Sequence, residues 1–202
     1  MSDSIYCYPP DYTVLKNKLG IHNADELNEI ERQLVLIRLE ENIPEGNFDL
    51  DHLKAIHRHL FQDIYEWAGK IRLVEISKGS SQFQLQKYIE TGMEDVHRRI
   101  VKSDYLQNLC PKEFSRKAGE IIGDINYVHP FREGNGRTQL LFLKQLTERA
   151  GYHLDLTCLE REPWIEASRE AHLGEYQHLA QWIEQTITQR VKNKQNRDDI
   201  TQ

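Results

Sequence analysis

Nine consecutive residues, His129-Pro-Phe-Arg-Glu-Gly-Asn-Gly-Arg137, hold the groups that a phosphate-transfer reaction needs. An ordinary histidine titrates at about 6.5, so His129 can be neutral near pH 7. In that form it can take the proton of an attacking hydroxyl. Glu133 offers one carboxylate beside the segment, and magnesium favours one or two carboxylates completed by substrate phosphates and water. Gly134 and Gly136 let the chain curl so that backbone N–H groups approach an anion. Asn135, between them, can donate its side-chain amide to a phosphate oxygen. Arg137 can pair two phosphate oxygens at once. Phe131, between two polar residues, is expected to point inward and pin the loop. Each residue alone has a plainer reading as a turn, a cap or a solvated side chain. Their concentration in nine residues favours chemistry.

Other constellations fail. The chain has no G-x-x-x-x-G-K-[ST], and Gly134-Asn-Gly136 lacks the third glycine and preceding strand of a dinucleotide fingerprint. His52, His57 and His59 share one expected helix without H-E-x-x-H and read as surface or packing residues. Trp67, Trp164 and Trp182 read as packing.

The elements that must position the nine residues are mostly helical. Leu27, Ile30, Leu34 and Ile37 recur at helical spacing after Asp25 and are expected to face the core. Asp49 is a suitable N-cap for a second helix with the stripe Leu50, Leu53, Ile56, Leu60 and Ile64, ending at Trp67-Ala68-Gly69. Ile71 to Ile76 is β-branched and extended in character, Lys78-Gly79-Ser80-Ser81 is turn chemistry, and Gln82-Phe83-Gln84 returns as a short strand. A hairpin of this size is marginal alone and must lean on the helices, where it can act as a flap. Helical patterning runs from Leu85 toward Leu106. Pro111 opens the next helix, with Phe114, Ala118, Ile121, Ile125 and Val128 inward. That helix stops at His129-Pro130, because proline disfavours helix in the residue before it. A loop over 129–136 leads to a helix from about Arg137, buried on the strength of four consecutive apolar residues at 140–143. Gly151 caps it. One or two helices follow over roughly 158–190, and the tail from Lys192 is polar.

The 202 residues suit one domain over 1–202, with a core at about 48–151, an N-terminal helical region at 1–47, C-terminal helices at about 155–190 and a tail at 191–202. Apolar residues make up 39% and charged residues 29%, which fits a helical domain with solvated faces. A net charge of −6 argues against nucleic-acid binding. Cys7, Cys110 and Cys158 are odd in number and far apart, which argues against a disulfide framework or structural zinc. No basic leader precedes an apolar run and no stretch reaches membrane-spanning length, so a cytoplasmic protein without membrane contact is expected.

The nine residues resemble the signature of the Fic (filamentation induced by cAMP) family, H-x-F-x-[D/E]-G-N-G-R-x-x-R. Leu60-Phe-Gln-Asp-Ile-Tyr-Glu-Trp-Ala-Gly-Lys-Ile-Arg72 followed by Ile76-Ser-Lys-Gly79 is similar to the family's approach to its flap. The opening Tyr8-Pro-Pro10 and Leu15 to Ile21 are similar to the start of stand-alone Fic toxins and of Fic modules in bacterial effectors. The resemblance implies an all-α, Fic-type helical bundle with a small β-hairpin flap over the active-site loop. It implies transfer of AMP from ATP, as co-substrate, to a Ser, Thr or Tyr hydroxyl of a target protein, with release of pyrophosphate. His129 is then the base, Glu133 holds Mg²⁺, and Gly134, Asn135, Gly136 and Arg137 form the anion hole. Asn126, Ser77, Lys78 and Gly79 border the nucleotide, and the flap aligns an extended target segment by backbone pairing.

Leu140 departs from the signature, whose last arginine grips the terminal phosphate and an inhibitory glutamate. The departure implies weaker ATP binding, a different donor such as UMP, phosphate or phosphocholine, or looser inhibition. Leucine equally suits a buried helix, and a docking module with a vestigial pocket is the remaining alternative. No (S/T)-x-x-x-E-(G/N) segment occurs, which implies that a small antitoxin supplies inhibition in trans, if any inhibition exists. Delivery into a host cell as part of an effector is the alternative to a cytoplasmic setting.

Overall fold

The computed structural model describes residues 3–78, 81–155 and 161–189. Gly79, Cys158 and the tail at 191–202 lie outside them. Side-chain caps set the first two helices. Asn23 accepts from the Glu26 N–H and starts α1, Ala24–Leu39; Asp49 accepts from the His52 N–H and starts α2, Leu50–Phe61. Leu53, Ile56, Leu60 and Ile64 are fully buried, as the spacing predicts. Two expectations need correction. Ile37 is exposed, and the inward stripe of α1 is Leu27, Glu31 and Val35. The second helix ends at Phe61, and turns carry the chain to Gly69.

The hairpin is shorter than its sequence implies. Its strands are β1, Ser77–Lys78, and β2, Ser81–Gln82, paired antiparallel with Ser77 opposite Gln82. Residues 71–76 and Phe83-Gln84 lie outside the ladder. Arg72 explains why: it is fully buried, and its guanidinium donates to the carbonyls of Val74, Gln84 and His129. A side chain thus takes the Val74 carbonyl that a longer ladder would have used, while the Ile76 carbonyl still accepts from the Phe83 N–H at 3.3 Å.

Helix α3, Ile89–Lys102, packs on α4, Pro111–Val128, which is central and also meets α5, α6 and α7. Phe114, Ala118, Ile121, Ile125 and Val128 of α4 are all buried. The helix ends where predicted, with His129 in the left-handed region at φ 47°. Helix α5, Asn135–Arg149, begins two residues earlier than expected, so the loop is 129–134. Leu141, Phe142 and Leu143 are buried, while Leu140 is partly buried against the core. Gly151 follows α5 at φ 92°. Helices α6, Arg161–His172, and α7, Gln177–Thr186, cover the other side of α4. A second two-stranded sheet was not anticipated: β3, Tyr152–Leu154, pairs antiparallel with β4, Ile187–Gln189.

Candidate active site

The motif loop sits between the C-terminus of α4 and the N-terminus of α5, with the flap hairpin beside it. His129 is oriented by its own helix. Its Nδ1 lies 3.0 Å from the Asn126 carbonyl. An acceptor there requires the hydrogen on Nδ1, which leaves Nε2 as the unprotonated nitrogen. Phe83, just after β2, stacks on the ring at 3.7 Å. Burial pushes the His129 pKa down to about 4, with the positive charges of Arg72 and Lys78 adding to it and the Asn126 carbonyl opposing it. The imidazole is therefore held neutral, in one tautomer, with a lone pair on Nε2.

The loop is shaped by contacts within itself and from α2. Asn135 is buried, its Oδ1 accepting from the Phe131 N–H at 2.9 Å and its Nδ2 donating to the Phe131 carbonyl at 2.8 Å. The structure thus spends on the loop the side-chain amide that the sequence reading offered to a phosphate. What Asn135 can present to an anion is its backbone N–H. Phe131 is buried as expected and stacks on His57 at 3.9 Å. His57 Nε2 donates to the Glu133 carbonyl at 3.0 Å, and its Nδ1 accepts from the Gly69 N–H at 2.8 Å. This histidine is fully buried, and burial lowers its pKa to about 4.

Gly134 precedes α5 at φ 82°, and a Cβ there would lie 2.4 Å from the Phe61 ring. Both the backbone angle and the packing require glycine. Gly136 differs, because a Cβ there would meet nothing within 4 Å. The first amides of α5 have no partner within their helix, so this end concentrates N–H donors and the positive end of the helix dipole. Glu133 stands beside them half exposed, its Oε1 accepting from the Gly134 N–H at 2.9 Å. Arg137 Nη2 lies 2.6 Å from Glu31 Oε1 and 3.9 Å from Glu133 Oε1. Its guanidinium is 4.7 Å from the Phe61 ring centroid.

The structure therefore brings His129, Glu133, Gly134, Asn135, Gly136 and Arg137 to one loop and helix end, with Ser77 and Lys78 exposed on the neighbouring flap. The Asn126 side chain turns away and donates to the Ser168 carbonyl of α6. Leu140 lies one helical turn beyond Arg137 and rests against the core. Sequence reasoning missed the supports: Glu31, His57, Arg72 and Phe83. A charged or polar residue inside an apolar stripe is the available signal for Glu31 and His57. Arg72 and Phe83 carry none.

The chain is similar to known proteins over nearly its whole length. The protein adenylyltransferase VbhT of Bartonella schoenbuchensis is 39% identical over 196 residues, which cover 96% of this chain and 41% of VbhT. The protein y4lH of Sinorhizobium fredii, designated a probable protein adenylyltransferase, is 40% identical over 182 residues covering 90% of this chain and 94% of y4lH. Among solved structures, the ADP-bound N-terminal Fic domain of a VirB-translocated Bep effector from Bartonella quintana gives a TM-score of 0.85 at 27% identity, covering 95% of this chain and 98% of that one. BepC of Bartonella tribocorum with AMPPNP gives 0.84 at 25% identity, covering 94% and 99%. The Fic/DOC family model matches residues 47–147, and the chain belongs to that family.

Proposed function

We propose that this chain is a protein adenylyltransferase, which transfers AMP from ATP to a hydroxyl side chain of a target protein and releases pyrophosphate. The observation that carries the reading is the neutral, single-tautomer His129, with Nε2 unprotonated, at the head of the loop that leads into the amide-rich start of α5. The target oxygen forms a bond to the α-phosphorus as the bond to the β-phosphate oxygen breaks. His129 Nε2 takes the hydroxyl proton, and pyrophosphate carries away the electron pair. The backbone N–H groups of Asn135, Gly136 and Arg137, with the Arg137 guanidinium, stabilise the charge that gathers on the phosphate oxygens. Two named relatives and the ADP- and AMPPNP-bound neighbours support nucleotide as donor.

Among the described residues no three potential metal ligands cluster. Glu133 alone is half exposed at the phosphate cradle, a donor set that fits magnesium and no all-protein metal cage. When bound, Mg²⁺ would supply charge neutralisation to the phosphates. Ser77, Lys78 and Gly79 of the flap would border the nucleotide and an extended target segment in this reading; Ser77 and Lys78 are exposed.

The target is a protein with an accessible Ser, Thr or Tyr. Regulation by a small antitoxin in trans fits a chain without the inhibitory motif, and Leu36, Ile37 and Leu39 leave the end of α1 apolar and exposed for it. The setting is the cytoplasm of the producing cell, or a host cell if the chain travels as part of an effector as the Bep neighbours do. Among the described residues no helix is long and apolar enough to cross a membrane.

Labelled ATP incubated with the protein and a lysate tests the reading. Label should pass to protein with wild type and not with His129→Ala; equal labelling by the two would overturn it. Leu140 favours one second reading, a donor other than ATP, because leucine stands where the signature grips the terminal phosphate. An added mass on the modified target other than that of AMP would establish that alternative.

A further inference from the structure

Glu31 is an acid in an apolar place. On α1 it lies between Leu27 and Val35 on the inward stripe, and its side chain is 9% exposed. A carboxylate there is costly unless paired. Both oxygens are engaged. Oε1 takes Arg137 Nη2 at 2.6 Å, and Oε2 accepts from the Tyr65 hydroxyl. Tyr65 is itself buried and stacked on Trp67 at 4.3 Å, and burial beside Glu31 raises its pKa, so the phenol remains a donor. The carboxylate is thus clamped from behind before it meets Arg137.

Arg137 has a second carboxylate within reach. Glu133 is four residues away on the same helix end, with 3.9 Å between Nη2 and Oε1. A direct pair between these two would tie the phosphate-binding cation to the one carboxylate available for a metal. The shorter contact to Glu31, together with the Phe61 ring beneath the guanidinium, keeps the pair with Glu133 long and without a hydrogen bond. The bond to Glu31 uses Nη2, which leaves Nε and Nη1 for a ligand. With leucine at 140, the cradle relies on this arginine rather than on the signature's two.

We propose that Glu31 is a positioning residue for nucleotide binding: clamped by Tyr65, it holds Arg137 over Phe61 and away from Glu133, so that arginine and carboxylate both stay free for the phosphates and their metal. The inference rests on the adenylyltransferase reading of the site and adds α1 to the machinery of donor binding.

Glu31→Gln keeps the shape and removes the charge. ADP affinity with and without Mg²⁺, by calorimetry, and the split of KM for ATP against kcat are the readouts. The variant should weaken ADP binding about tenfold in Mg²⁺, as loss of a residue supporting a ligand-binding group does, and less in EDTA. KM should rise by a similar factor while kcat changes little. In an Arg137→Ala background the same substitution should add nothing beyond about twofold. Tyr65→Phe, which keeps the charge, should show the same pattern more weakly and serves if Glu31→Gln does not fold. A lowered melting temperature with unchanged ADP affinity and KM would overturn the proposal, as would tighter binding in Glu31→Gln or a full effect without Arg137. Wild-type protein that binds no ADP would overturn the reading of the site itself, and this inference with it. Wild type that binds ADP, alongside a Glu31→Gln variant that binds it equally, would overturn the inference alone.

Discussion

Two glycines in one tripeptide do different work, and a single methyl group separates their roles. At Gly134 the protein itself excludes a side chain, because φ is 82° and the Phe61 ring occupies the space. Gly134→Ala should destabilise the fold by about 2 kcal/mol or more from backbone strain and overlap together. At Gly136 nothing in the protein stands within 4 Å of a Cβ, and the residue is the second of α5. Gly136→Ala should leave thermal stability intact or raise it by up to about 1 kcal/mol through helix propensity. If phosphate lies against that helix end, the same variant should still lose nucleotide affinity. Melting curves and ADP titration on the two variants separate the cases. Unchanged ADP affinity in Gly136→Ala would place the phosphate elsewhere.

Among the elements, the flap and the motif loop are joined by one buried arginine. The Arg72 guanidinium donates to Val74 and Gln84 on the two sides of the hairpin and to His129, while its backbone N–H donates to the Pro130 carbonyl at 2.8 Å. Arg72→Met should cost about 3 kcal/mol or more in urea unfolding, since it leaves buried carbonyls without donors. It should also impair transfer by releasing both the flap and His129. Wild-type activity in a folded Arg72→Met protein would remove Arg72 from the site's support. This residue also marks the limit of what the sequence discloses. Caps at Asn23 and Asp49, the proline at the start of α4 and the stop at His129-Pro130 act locally, so they are legible. Ile71 to Ile76 has strand composition but gives the Val74 carbonyl to a side chain, which no periodicity records. The rotation of α1 is hidden in the same way, because Glu31 turns inward to meet a partner 106 residues later. The motif residues were legible because they are contiguous; His57, Phe83 and Arg72 support them from other elements.

For the molecule as a whole, the meeting of α2, the end of α4 and the motif loop encloses two imidazoles that must stay neutral. Burial holds His57 and His129 down at about 4, whereas both titrate at about 6.5 in an unfolded chain. Between those values the unfolded chain binds protons that the folded protein refuses. Stability therefore rises with pH across this window. The contribution is complete above about pH 6.5 and is lost as pH falls toward 4, at no more than roughly 1.4 kcal/mol per histidine per pH unit. His52 and His172 are shifted in the same direction by burial and steepen the wild-type slope. Asp63 and Glu29 are carboxylates held below their ordinary values by arginine partners, so their loss of stability comes at lower pH. Urea unfolding between about pH 7.5 and pH 5 should give a steep decline for wild type and a shallower one for His129→Ala, by close to one proton. The slope is the readout, because the substitution also changes stability at neutral pH through the lost Phe83 stacking. An identical slope in the two proteins would mean that His129 titrates normally in the folded state, and the proposed role of His129 as a neutral base would have to be given up.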